Sequence, residues 1–211
     1  MPIVRFDARC KVLAKMIGRF GIDPERACYT IWTIWAVSWF LAAGWSSRAQ
    51  SRASLAQQFP YRLLTISGFI LLFAVRTNRY HGPLRIWTLP ISAGWAMVLL
   101  CAMGFGFAWW ARLHLGQLWS AFVTRKAHHR IVDTGPYRIV RHPIYTGIIA
   151  AAIALALVKG TVIALAGALL AAFGFWVKAR LEEGFLREQL GAEAYDAYRR
   201  RVPMLVPFGP A

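Results

Sequence analysis

Acidic residues are scarce. The 211-residue chain holds 9 Asp and Glu against 25 Lys and Arg, for a net charge of +16. Cysteine is rarer still. Cys10, Cys28 and Cys101 are odd in number and lack metal-ligand spacing, so neither a disulfide framework nor a zinc site is indicated. His114, His128 and His129 show no ligand spacing either, so no metal is expected. There is no internal repeat and no low-complexity tract. The N-terminus lacks a signal-peptide design, because the first apolar run long enough to span a bilayer begins only after Arg26. Pro207-Phe208-Gly209-Pro210-Ala211 is not a prenylation box. Charge is missing altogether from 27–47 and 86–111, and 144–177 holds only Lys159.

Apolar residues dominate instead. They make up 58% of the chain, with ten Trp and thirteen Phe and a mean hydropathy of +0.44. Soluble domains run at roughly 45–50%. One domain of this length cannot bury so much apolar surface in a soluble core, so the expectation is an all-α, polytopic integral membrane bundle. The basic excess falls between the apolar runs, where it can meet lipid head groups and set topology. No basic stripe interleaves with aromatics on a soluble face, which argues against nucleic acid. The sequence assigns no oligomeric state.

In chain order, residues 3–20 read as an amphipathic helix. Phe6, Cys10, Leu13, Ile17 and Phe20 lie on one side, with Arg5, Arg9, Lys11, Lys15 and Arg19 on the other. Such a helix lies in the membrane interface or caps the bundle in water, and the pattern fits both. Asp23-Pro24-Glu25 is a helix start: an N-cap, a first-turn proline and an acid complementing the dipole. The uncharged 27–47 follows, with Trp32, Trp35 and Trp39 as a packing and anchoring stripe. Residues 48–60 read as a polar connector. The apolar 63–75 is short for a span unless Arg62 snorkels. A turn over 76–85 leads to the third run, 86–111, ending in Trp109-Trp110.

Residues 112–143 are charged, and 144–177 is apolar over 34 residues. As one helix it would run about 51 Å at 1.5 Å per residue, against a hydrocarbon core of about 30 Å. A break at Lys159-Gly160 is therefore expected. Gly160, Ala164, Ala168 and Ala172 form a small-residue seam for a neighbouring helix. Residues 178–198 continue the last helix, with a break near Gly191, and Val202-Pro203 to Pro207 ends it. The count is about five spans, which puts the termini on opposite sides. One side then holds 15 of the 25 Lys and Arg, including 112–143 and the tail, and the positive-inside rule makes that side cytoplasmic. The basic N-terminal helix pulls the other way, and a sixth span would bring it to the same side. Two regions of one structural unit follow: 1–111, and a C-terminal region, 112–211, that carries the chemistry.

Polar chemistry concentrates in 135–147. Tyr137, Arg138, Arg141, His142 and Tyr145 crowd nine residues, and Pro143 suits a helix first turn with His142 just outside. Backbone N–H groups and side-chain donors at such a start can hold an anionic group. A hairpin of two spans returns Glu182 and Glu183 to the same face, followed by Tyr195, Tyr198 and Arg199-Arg200-Arg201. Acceptors for a cation beside donors for an anion suit a zwitterion such as S-adenosylmethionine. Structural readings stand beside this one. Glu183 and Arg187 are four apart and can pair on an exposed helix. Arg138 and Arg141 can anchor lipid head groups. His142 can serve only as a cap.

At these residues the sequence resembles the isoprenylcysteine carboxyl methyltransferase family and its relatives, the phospholipid methyltransferases. The pattern is Gly135-Pro136-Tyr137-Arg138, Arg141-His142-Pro143-x-Tyr145-x-Gly147, Glu182-Glu183-x-x-Leu186, Gly191, Tyr195-x-x-Tyr198, and Val202-Pro203 to Pro207. Gly116, Trp119-Ser120 and His129 lead into it. The resemblance covers roughly 112–208, and Leu190-Gly191 stands where the family often has Phe-Gly. It implies an integral membrane methyltransferase using S-adenosylmethionine, with its site on the cytoplasmic side. A lipophilic or small-molecule methyl acceptor and membrane lipids are its implied partners. By position, Tyr137, His142, Pro143, Tyr145 and Gly147 line the cofactor pocket. Glu182 and Glu183 hold the cofactor or orient the acceptor, Arg141 joins them in catalysis, and Tyr195 and Tyr198 close the site. The acceptor stays open among a carboxylate, a phospholipid amine and a small thiol, and a non-catalytic membrane scaffold is the remaining alternative.

Overall fold

In the computed structural model, the described residues are 23–42, 54–74, 85–116 and 131–209, with the backbone alone of 51–52 and 124–125. Among them are six helices: α1 (Pro24–Leu41), α2 (Leu55–Ala74), α3 (Ile91–Leu115), α4 (Pro143–Lys159), α5 (Val162–Leu190) and α6 (Ala192–Arg201). The extended structure amounts to Ser51–Arg52 paired antiparallel with Thr124–Arg125 and one isolated bridge, Arg85 with Thr161. The amphipathic segment 3–20, the turn over 76–84, Trp119, Ser120, His128 and His129 lie outside the described residues.

Helix α1 begins as its sequence dictates. The Asp23 carboxylate accepts from the Arg26 N–H at 2.9 Å, and Pro24 follows it. The described helix ends at Leu41, with Ala42 as C-cap, and the rest of the expected apolar run, 43–47, lies outside the described residues. Helix α2 corrects the expected connector, because it starts at Leu55 and carries Pro60 inside. A reciprocal capping box explains the early start. Gln57 N–H donates to the Ser54 hydroxyl at 3.2 Å, and Ser54 N–H donates to Gln57 Oε1 at 2.9 Å. Helix α3 starts five residues later than the end of charge at Arg85 implied.

The long apolar stretch breaks where expected. Gly160 ends α4 in the left-handed region, φ +66°, and a Cβ there would run into the Trp87 carbonyl. Ile86 and Trp87 N–H groups donate to the Gly160 carbonyl at 2.8 and 3.3 Å, and Arg85 and Trp87 side chains donate to the Val158 and Leu157 carbonyls. These contacts satisfy the orphan acceptors at the end of α4. Lys159 is fully buried there. Its ammonium donates to the Leu72 carbonyl of α2 and sits 5.7 Å over the Tyr29 ring.

Helices of both halves of the chain interlock, α2 on α5 and α3 on α4. The α2–α5 approach runs through Gly68 against Gly167 and Ala171, and through Thr65 against Gly174. The expected seam is therefore shifted. Ala164 and Ala168 are fully buried, but Ala172 is only half-buried. At 3.6 residues per turn a strict four-residue repeat drifts by about 40° each step, so the real contact line slips to Gly167, Ala171 and Gly174. The aromatic stripe packs inward. Trp32 meets Phe69, Phe73 and Phe105 edge-on, and Trp35 stacks on Phe105 at 4.5 Å.

The outside of the bundle is oily. Ile34, Phe40, Leu63, Ile70, Leu99 and Leu169 all expose more than half of their surface. So large a girdle of apolar side chains on α1, α2, α3 and α5 is what lipid, not water, tolerates. Among the described residues two helices, α3 and α5, are long and apolar enough to cross a membrane, and α4 is a shorter apolar helix.

Candidate active site

The site begins with a backbone accommodation. Gly135–Arg138 forms one short 3₁₀ turn, and Pro143 opens α4 with His142 as the residue before it. His142 makes no side-chain cap bond, so capping does not account for it. Its ring turns instead towards the end of α5. His142 Nε2 lies 3.3 Å from Glu183 Oε1 and Nδ1 lies 3.7 Å from Glu182 Oε2.

Glu183 is the hub. It is 5% exposed. Arg141 Nε donates to its Oε1 at 2.7 Å, and Arg199 Nε of α6 stands 3.5 Å from Oε2. Burial pushes the Glu183 carboxyl up, but hydrogen bonds and charge from His142 and Arg141 outweigh it and hold the group below its ordinary 4.5. A carboxyl depressed on folding contributes stability that is present above about pH 4.5 and fades as pH falls through the lower folded value. Thermal unfolding in detergent from pH 6 to pH 3 should show this acid loss, and Glu183→Gln should flatten it. An equally steep profile in the variant would assign the acid sensitivity elsewhere.

Glu182 faces the other way and stays partly open, its side chain 19% exposed. Tyr145 donates its hydroxyl to Glu182 Oε1 at 2.7 Å, and Lys178 Nζ lies 3.9 Å from the same oxygen. The Tyr145 ring lies parallel to His142 within 3° at 5.5 Å and also stacks with Phe175 at 5.1 Å. Lys178 also sits 5.0 Å over Tyr145.

The tail wraps the helix start. Arg141 and His142 N–H groups donate to the Pro203 and Met204 carbonyls at 2.8 and 3.1 Å, and the Thr146 hydroxyl donates to the Leu205 carbonyl at 2.6 Å. Arg141 Nη1 donates to the Arg199 carbonyl at 3.0 Å and to that of Val202. Tyr198 donates to the Tyr137 carbonyl at 2.7 Å, and Tyr195 packs edge-on against Tyr198. Burial raises the phenol pKa of both.

Among the expected site residues, the structure gathers Arg141, His142, Tyr145, Glu182 and Glu183 into one network. Tyr137, Tyr195 and Tyr198 form its buried flank, and Pro143 shapes the helix start. Gly147 lies elsewhere, in the α3–α4 crossing against Gly104 and Ala108. Arg187 does not pair with Glu183 as the helix-spacing alternative had it. It makes a two-toothed contact with Asp196 on α6 at 2.9 to 3.1 Å, past the turn at Gly191. Sequence reasoning had placed the Arg199-Arg200-Arg201 run beside the site but missed Lys178 as a member of the cluster. The four-residue spacing of Lys178 and Glu182 was the available signal.

The donor set suits a zwitterionic ligand with a positive centre. Glu182 offers carboxylate oxygens from a partly open position, while Glu183 is saturated by its own cations and holds the frame. Residues 96–188 match the Isoprenylcysteine carboxyl methyltransferase (ICMT) family. The chain is also 32% identical over 87 residues to Protein-S-isoprenylcysteine O-methyltransferase B of Arabidopsis thaliana. That match covers 41% of this chain and 44% of the relative, so the chain matches less than half of that protein's length.

Proposed function

We propose that the protein transfers a methyl group from S-adenosylmethionine to a lipophilic acceptor at the membrane, most like carboxyl methylation of an isoprenylcysteine. The observation that carries this reading is the meeting of the Arg141-His142-Pro143 helix start with Glu182 and Glu183 from the far end of the following hairpin. The family match over the same residues supports it. Five long helices, alternating in direction as their end contacts require, support five spans. The weight of basic residues supports a cytoplasmic site.

In this reading the cofactor supplies an electrophilic methyl group beside a positive sulfur. Glu182 binds its ammonium or ribose hydroxyls, oriented by the Tyr145 hydroxyl. His142 and Tyr145, stacked on each other, form one wall of its pocket. Glu183 holds Arg141 and His142 in place, and the tail over 202–205 excludes water from the helix start, which strengthens the fixed charges. A carboxylate acceptor is already a nucleophile at neutral pH, so its alignment supplies the rate and no group need remove a proton.

The test is calorimetry of the purified chain with S-adenosylmethionine, followed by transfer of labelled methyl to a farnesylcysteine compound, a phospholipid extract and a small thiol. Binding with transfer to the first is expected. No binding and no transfer to any of them would refute methyl transfer; transfer to another acceptor would reassign it. Tyr145→Phe should weaken cofactor binding about 2- to 12-fold, the worth of one ordinary hydrogen bond. Unchanged binding would detach Glu182 from the cofactor.

A further inference from the structure

The strongest chemistry left unused lies on α2, outside the residues that match the family. Tyr61 is 5% exposed and sits in its own small cluster with Val177, Leu181 and Phe185 of α5. The Lys178 ammonium lies 5.7 Å over the Tyr61 ring and 5.0 Å over the Tyr145 ring. One cation is thus held between an aromatic ring from each half of the chain. The same ammonium is 3.9 Å from Glu182 Oε1, the oxygen that accepts from Tyr145.

The Tyr61 ring is itself fixed. Its hydroxyl donates to Gln58 Oε1 at 3.0 Å, and Arg62 Nη2 donates to that oxygen at 2.7 Å. Gln58 is 2% exposed, so this amide is an interior brace. Helix α2 cannot slide to relax it, because Gly68 and Thr65 seat their backbones directly on α5. An ammonium on a flexible four-carbon stem has many rotamers to lose, and two ring faces restrict it to one place.

We infer that Tyr61 is a positioning residue: its ring fixes the Lys178 ammonium beside Glu182, so that α2 completes the site built by the C-terminal half. The inference rests on the methyl-transfer reading. Without the ring, Lys178 swings, and Glu182 loses a cation that sets its orientation towards ligand. The hydroxyl only steadies the ring, so removing it does less.

The experiment uses the full chain in nanodiscs with two readouts. The first is transfer of labelled methyl from S-adenosylmethionine to farnesylcysteine. The second is the rate at which an amine-directed reagent modifies Lys178, followed by mass spectrometry, which needs no cofactor. Tyr61→Leu should lower turnover about 5- to 30-fold, the span of a desolvated cation–ring contact, and speed modification of Lys178 several-fold. Tyr61→Phe should restore both to within threefold of the parent chain. Val177→Ala, which loosens the same cluster but leaves the ring, should not speed Lys178 modification. In a Lys178→Met background, Tyr61→Leu should change turnover less than twofold. Parental turnover in Tyr61→Leu, failure of Tyr61→Phe to rescue, or equal Lys178 exposure in Val177→Ala would overturn the inference. A parent chain that transfers no methyl group would instead overturn the functional reading beneath it.

Discussion

Arg141→Ala is expected to abolish methyl transfer, by about 100-fold or more, while the chain still inserts into the membrane. The side chain is 4% exposed and serves three acceptors at once: Glu183 and the carbonyls of Arg199 and Val202. Removing one partner of a buried ion pair costs about 3–5 kcal/mol, because the other charge stays buried. Each tenfold in rate corresponds to about 1.4 kcal/mol. The loss is local. The apolar faces that drive insertion lie along the spans, whereas Arg141 touches only the polar end of α5 at Glu183 and the tail. Arg141→Lys keeps the charge but not the fork that reaches three acceptors, so partial rescue is expected. Turnover should be measured beside alkaline extraction of membranes. Turnover within tenfold of the parent, in a variant that extracts normally, would remove Arg141 from the site.

Gly147→Val is expected to cost the fold itself. A Cβ at this position would press on the Gly104 carbonyl and lie 3.1 Å from Ala108 Cβ and its backbone nitrogen. Those are backbone and short side-chain atoms, which cannot turn aside. Overpacking such a crossing costs about 3 kcal/mol or more. A fall in Tm and in monodisperse yield is the expected result, measured by thermal shift in detergent. This outcome separates two assignments. The family resemblance puts Gly147 among cofactor contacts, whereas the geometry makes it a hinge-free helix crossing. Unchanged Tm with lost S-adenosylmethionine binding would favour the first.

Much of the site was legible because its parts are local. Arg141-His142-Pro143 reads as a helix start from three residues, and the break at Lys159-Gly160 follows from length alone. That break fixes the hairpin, and the hairpin returns Glu182 and Glu183 to the motif. What sequence reasoning missed depends on the partner helix. Tyr61 and Gln58 look like any polar residues near the start of an apolar run until α2 is laid on α5. The start of α2 was misplaced because 48–60 was read as a polar connector, while Ser54 and Gln57, three apart, already formed a capping box. The pairing of Arg187 with Asp196 was hidden by the turn at Gly191, φ +90°, which folds α6 back on α5. Helical spacing describes neighbours within one helix and is silent across such a turn.

The strap of tail carbonyls over the helix start has a consequence for synthesis. Thr146 and Leu205 are separated by 59 residues, and Arg141 and Val202 by 61. At about 5–20 residues per second, the ribosome needs roughly 3–12 s to make that stretch. For those seconds the nascent helix start lacks the tail carbonyls that its amides and Arg141 Nη1 donate to, although Glu183, only 42 residues on, is made earlier. On the proposed five-span reading, both hairpin helices are made with that end still open to water, and the carbonyls of Pro203, Met204 and Leu205 replace the water only once the tail is complete.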